Sequence, residues 1–218
     1  MAYELVIGNK NYSSWSLRAW LLLRFVGVPF IEHRINLYQP GAREKVQGFG
    51  GETGLVPVLV DDGFPIWDTL AITEHLYDSY PQIWPAEKHD RARARSHSGE
   101  VHSSLNALRA AMPINARGRR RLAARTPDVL ADIERVKAIW TKSGARASSP
   151  WLFDYFCAAD VMFAPVALRF QTYDVSMDGK AGAYLEALLA HPLMREWCDL
   201  AEEEEDIIPQ FELPEAIS

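Results

Sequence analysis

The chain has 218 residues, 48% hydrophobic and 24% charged, with a formal net charge of −6. That length and balance describe a globular chain able to bury a sizeable core in one large or two modest domains. The acidic balance argues against nucleic acid as a partner, since phosphate neutralisation needs a basic footprint, and no apolar run nears the roughly 18 residues of a membrane span.

The first 80 residues alternate elements. Tyr3–Ile7 and Phe30–Leu37 read as strands around a helix at 14–26, which Gly27 and Pro29 end. A Gly-rich irregular stretch follows over 39–54. Then come a strand at Val56–Val60, a turn at Asp61-Asp62-Gly63 and a strand at Phe64–Trp67, because an Asp-Gly step between two apolar runs is a hairpin signal. Thr69–Ser79 reads as a helix. The order βαβ then ββα implies a small sheet with helices packed on it. After Tyr80-Pro81-Gln82-Ile83-Trp84-Pro85 strand signals vanish. Helices are expected near 87–111, 127–143, 158–172, 180–190 and 193–205, with breaks at Pro113, Pro127, Gly144, Pro150 and Pro192. The organisation expected is an α/β domain over 1–80, a packed linker over 81–86 and an all-helical domain over 87–218.

Three local features carry chemistry. Ser13-Ser14-Trp15-Ser16 lies where the first strand turns into a helix, and helix-start N–H groups have no internal partner and add partial positive charge. Hydroxyl donors there stabilise a sulfur anion, although a serine-rich helix start also serves as a plain N-cap. A cis Val56–Pro57 bond would turn the Val56 N–H and C=O outward to pair with an extended peptide, while Pro57 also fits a strand's first residue. Asp68-Thr69 opens a second helix and suits an α-amino-acid group, carboxylate on the N–H groups and ammonium near Asp68.

In this order and spacing the set resembles the thioredoxin-like domain of the glutathione transferase superfamily. Ser13-Ser14-Trp15-Ser16-Leu17-Arg18 is similar to the serine signature of the zeta class, with Trp15 in place of that class's cysteine. The resemblance implies a thioredoxin-like α/β domain followed by an all-α domain. It implies glutathione as co-substrate, conjugation or isomerisation of a small electrophile, detoxification, and a homodimer. Ser13 is the first candidate for the thiolate donor, with Ser14 and Tyr12 as rivals. Val56, Pro57, Asp68 and Thr69 would hold the tripeptide. Leu55 stands where many relatives carry a cation or glutamine, so the glycine carboxylate would fall to Arg43 or Lys45. The electrophile would lie by Trp15, Leu108, Ala111 and Met112, with Arg169 meeting an acidic group or else serving as a helix-surface charge. Cys157-Ala158-Ala159-Asp160 takes the place of the superfamily's S/T-x-x-D capping box.

Cys157 and Cys198 read as buried free thiols, and the amino terminus lacks a signal-peptide pattern, so a cytoplasmic location is expected. Histidine and cysteine spacing gives no metal site. Arg117, Arg119, Arg120, Arg121 and Arg125 read as a solvated loop, and 202–206 as a solvated acidic face. Ser13-Ser14-Trp15-Ser16 cannot form the disulfide of a redox Cys-x-x-Cys. The alternative to an enzyme is a non-catalytic glutathione-binding or protein-interaction module that kept the fold.

Overall fold

The computed structural model describes residues 3–143 and 149–216. Four strands, β1 (Tyr3–Ile7), β2 (Phe30–Arg34), β3 (Val58–Asp61) and β4 (Phe64–Trp67), form one mixed sheet in the order β2-β1-β3-β4. β1 runs parallel to β2 and antiparallel to β3, and the Asp-Gly turn joins β3 to antiparallel β4. Side chains alternate across the sheet. Leu5 and Ile7 therefore join the main core, whereas Val6 packs on the other face with Ile35, Val46, Val58 and Val60.

Helix α1 (Ser14–Val26) starts from Ser13 and ends at Gly27, whose φ of 74° lets its N–H reach the Leu23 and Arg24 carbonyls. Its apolar face lies between the sheet and the helical domain. Leu17, Trp20 and Leu21 share a core with Trp84, Trp140, Phe163 and Trp197. Trp84 donates to Glu74 at 2.9 Å and Trp197 to the Lys10 carbonyl at 3.1 Å, so both indoles bridge elements without an orphaned N–H.

The other helices are α2 (Ala42–Gly48), α3 (Thr69–Ser79), α4 (Lys88–Ser103), α5 (Asn106–Ala111), α6 (Pro127–Ser143), α7 (Ala158–Thr172), α8 (Gly179–Ala190) and α9 (Pro192–Glu202). Several expected boundaries shift. Helix α2 occupies the stretch read as irregular; it is short, starts at Gly41 without a side-chain cap and buries only Val46, so its periodic signal is weak. The helix expected over 87–111 is two, because Leu105 adopts a left-handed φ of 60° that buries its side chain. Strand β3 starts after Pro57, which cannot donate to a ladder. The break expected at Gly144 lies outside the described residues.

Helix α7 is buried along its length, and Cys157 and Asp160 form a reciprocal capping box at its start. The Asp160 carboxylate accepts from Cys157 N–H at 2.8 Å and Leu152 N–H at 3.1 Å. Sulfur is a weak acceptor for its half of the box. Cys157→Ser should therefore raise stability by about 1 kcal/mol, a Tm increase of about 2–4 °C by calorimetry. No rise would mean that the sulfur's packing matters more than the cap.

Arg119, Arg120, Arg125, Glu202, Glu203 and Glu205 are exposed, as expected of solvated surface, but Arg117, Arg121 and Glu204 depart from that reading. Glu204 is 9% exposed, and its carboxylate accepts from the Lys10 and Asn11 N–H groups at 2.8 and 3.2 Å. Arg117 donates to the Glu204 and Asp206 carbonyls, Arg121 to the Leu213 carbonyl and the Glu212 carboxylate, and Arg125 to the Tyr173 carbonyl. Arg117 and Arg121 bind the carboxy-terminal segment to the body, while Arg125 ties to the end of α7. Their partners lie far away in sequence, which no local pattern announces.

Candidate active site

A cleft of about 1210 Å³ opens at the carboxyl end of β1, walled by α1, the β2–α2 loop, the start of α3, α4 and α5. Tyr12, Ser13, Ser14, Trp15, Arg43, Val56, Pro57, Asp68, Thr69 and Arg169 all line it. Lys45, Leu108, Ala111 and Met112 do not. Leu108 and Met112 are fully buried in the core, Ala111 packs against that core, and Lys45 is exposed on α2.

At the start of α1, Ser13 is the N-cap: its Oγ accepts from Ser16 N–H at 3.3 Å and lies 2.7 Å from Ser16 Oγ. Ser16 Oγ in turn accepts from Gly8 N–H at 2.9 Å. Two hydroxyls thus stand in a chain that begins at a backbone donor. Ser14 Oγ has no hydrogen-bond partner among the described residues, though only 6% of Ser14 is exposed. Tyr12 is engaged elsewhere. Its hydroxyl donates to Glu212 Oε1 at 2.5 Å and accepts from Arg117 Nη2 at 3.1 Å. Burial and the Glu212 carboxylate raise its pKa, so Tyr12 holds its proton.

Across the cleft the Val56–Pro57 bond is cis. Asp68 takes a φ of 73°, a conformation an L-residue holds only when its surroundings impose it. Its Oδ1 caps Leu70 N–H at 2.8 Å, and its Oδ2 meets His102 Nε2 at 2.8 Å. Thr69 is 1% exposed, and its Oγ1 has no partner among the described residues. Arg43 reaches the Thr53 carbonyl at 3.4 Å, which leaves its other guanidinium nitrogens for a ligand.

The far wall holds residues the sequence did not single out. Trp15 has Arg18 4.5 Å and Arg109 4.9 Å from its ring centre, with His102 edge-on at 5.1 Å. Arg169, read as a possible surface charge, is only 5% exposed. It donates from Nε to the Met112 carbonyl at 2.8 Å and from Nη1 to the Pro165 carbonyl at 3.3 Å. Arg18 is 1% exposed and donates from Nε to Met162, while its Nη1 has no partner among the described residues. Burial lowers the pKa of all three guanidiniums, and Arg109 repels the other two; Arg169 is pushed down to about 9. None of the three pairs with a carboxylate among the described residues. The helical spacing of Arg169 after Asp160 was a usable signal, whereas Arg109 and His102 gave none.

Two helix starts, the turn before β3 and a cationic wall surround one cleft, whose free N–H groups and guanidiniums favour anionic groups. The family model for the "Glutathione S-transferase, N-terminal domain" matches residues 12–79. The match lies within the first domain, and the chain has the glutathione transferase fold.

Similar solved structures span both domains. A glutathione transferase homologue from Burkholderia gl BGR1 with bound glutathione is 20% identical. It matches over 94% of this chain and 100% of its own, at a TM-score of 0.70. A maleyl pyruvate isomerase, described as a bacterial glutathione S-transferase of the zeta class, is 17% identical, with 93% and 100% covered and a TM-score of 0.70. The nitrogen regulation fragment of the yeast prion protein Ure2p is 15% identical, with 90% and 96% covered, also at 0.70. A search of curated proteins gave no sequence match. The expected thioredoxin-like domain followed by a helical domain is therefore the observed architecture. Among the described residues no cluster of His, Cys, Asp or Glu could hold a metal, and no helix is long and apolar enough to cross a membrane.

Proposed function

We propose that the chain is a glutathione transferase that stabilises the glutathione thiolate for attack on, or isomerisation of, a small electrophile. The observation that carries this is the buried Thr69 hydroxyl, without a partner among the described residues, which faces the same cleft as the serine-lined start of α1. In this reading Thr69 and the free N–H groups of α3 take the γ-glutamyl carboxylate, and Asp68 the ammonium. Val56 pairs with the peptide backbone beside Pro57, and Arg43 takes the glycine carboxylate; Lys45 lies too far round α2 to share it. Ser13 and Ser14 face the sulfur. No histidine contacts either serine among the described residues, so both act as donors rather than nucleophiles.

A free thiol titrates near 8.5, and lowering that by about two units takes about 2.7 kcal/mol of preference for the anion. Hydroxyls and helix-start N–H groups suffice for that. Proximity to the electrophile supplies much of the remaining acceleration.

The second compound lies against Trp15, and the unpaired guanidiniums of Arg109 and Arg169 favour an acidic group on it. A zeta-like isomerase, which would turn over without consuming glutathione, is the finer form of this reading. We assign the tripeptide site to 1–80, a linker to 81–86 and the electrophile wall to 87–218, in a cytoplasmic homodimer. Titrating the 240 nm thiolate absorbance of bound glutathione tests the core of the proposal: its thiol should ionise about two units below free glutathione. Unshifted ionisation would overturn it. The second reading, a glutathione-binding module without catalysis, draws support from the similarity to Ure2p, solved in complex with glutathione. It predicts binding with no conjugation of nitro-activated aryl halides.

A further inference from the structure

The carboxy-terminal segment crosses back onto the loop that carries the serines. Glu204 seals the Lys10 and Asn11 N–H groups from below. Asn11 receives the Arg117 N–H on its side chain at 2.8 Å and the Ala116 N–H on its carbonyl at 3.0 Å. Beyond Asp206 the chain places Phe211 on the cleft wall, 5.9 Å from the Tyr12 ring and 5.3 Å from that of Tyr38. The next residue, Glu212, gathers three donors: Tyr12 Oη at 2.5 Å, Asn115 Nδ2 at 2.9 Å and Arg121 Nη2 at 3.0 Å. Arg117 bridges the same tyrosine oxygen and the Asp206 carbonyl. Tyr12 therefore spends its proton and a lone pair on residues of the helical domain and the tail, immediately before the N-cap serine.

We propose that Tyr12, Arg117 and Glu212 form a positioning clamp by which the carboxy-terminal segment fixes the thiol-facing serines. Tyr12 gives no hydrogen bond to sulfur; it acts through the backbone of Ser13. Ser13 N–H is bound to the Asn9 carbonyl at 2.9 Å, closing a tight turn that Trp197, Glu204 and the 116–117 backbone hold at Lys10 and Asn11, and that the Tyr12 hydroxyl holds immediately before Ser13. Release of that hydroxyl lets the turn move, and a hydroxyl displaced by about 1 Å is a poor donor to a thiolate. The tripeptide's other contacts sit on α2, on the Val56–Pro57 turn before β3 and at the start of α3, and among the described residues none of these hydrogen-bonds Tyr12, Arg117 or Glu212.

The proposal rests on the glutathione reading, so the test has one readout that needs glutathione and one that does not. In Tyr12→Phe and Glu212→Ala, kcat should fall about tenfold and the bound thiol's pKa rise, with KM for glutathione changed less than threefold. The double variant should be no worse than either single one, since both cut the same tether. Glu212→Gln keeps an acceptor for Tyr12 and should recover most of the loss. Amide hydrogen exchange of Tyr12, Ser13 and Ser14 should quicken in Glu212→Ala while β1 stays protected, whether or not glutathione binds. Unchanged exchange together with an unchanged thiol pKa in Glu212→Ala overturns the clamp. A thiol pKa that rises in Tyr12→Phe alone overturns it as well, because Tyr12 would then be the donor. Wild-type protein that binds no glutathione, yet shows the exchange difference, would sink the functional reading and keep the clamp.

Discussion

Ser13→Ala is expected to lower kcat/KM by 10²- to 10³-fold, about 2.7–4 kcal/mol, the size of loss seen when one oxyanion donor is removed. The hydrogen-bond chain from Gly8 N–H through Ser16 Oγ to Ser13 Oγ gives the reason. Hydroxyl protons rotate, so Ser16 can donate to Ser13 across the same 2.7 Å contact and free the Ser13 proton for sulfur. Each link then polarises the next, in a buried setting where such chains strengthen. Ser13 also caps α1, and its loss should lower stability by about 1 kcal/mol, or about 2–4 °C in Tm. Glutathione affinity should change only a few-fold. Ser14→Ala removes a donor that stands outside the chain and should cost about tenfold. Ser16→Ala leaves Ser13 in place but cuts its support, and should fall between the two. Thiolate titration and initial rates on the three variants decide the matter. If Ser14→Ala proves the more damaging, Ser14 is the donor and Ser13 only a cap.

The features legible in the sequence are those whose physics is local. Ser13 and Asp68 announced themselves as helix caps, Pro57 as a ladder breaker and Asp62-Gly63 as a hairpin. Each depends on neighbours within about four residues. Helices α6 and α7 were legible because long periodic runs bounded by proline or a capping box leave few alternatives. What stayed hidden acts across the chain. Glu204 reaches Lys10 over 194 residues, and Glu212 reaches Tyr12 over 200. An acidic run gives no sign of which carboxylate will be buried, and an arginine cluster none of which carbonyls it will hold. The same blindness put Leu108 and Met112 in the cleft. The rotation of α5 is set by the left-handed turn at Leu105, and it sends those side chains to the core and Arg109 to Trp15.

Arg169→Met should abolish any preference for an acidic electrophile while sparing a neutral one. The buried guanidinium has two carbonyl partners and no carboxylate, with Arg109 adding repulsion. An incoming carboxylate supplies the missing counter-charge, and a charged hydrogen bond of that kind contributes about 1.5–3 kcal/mol. The predicted loss is therefore 10- to 100-fold in kcat/KM for a chloronitrobenzoate and near zero for the matching benzamide. Stability should not fall, because replacing an unneutralised buried charge with an apolar chain of similar length is often neutral or favourable. Burial lowers the pKa of Arg169, yet a guanidinium keeps its proton in a protein, so preference for the acid over the amide should hold across the working pH range rather than fade on its alkaline side. Equal rates for acid and amide at pH 7 would show that the cationic wall does not select the substrate.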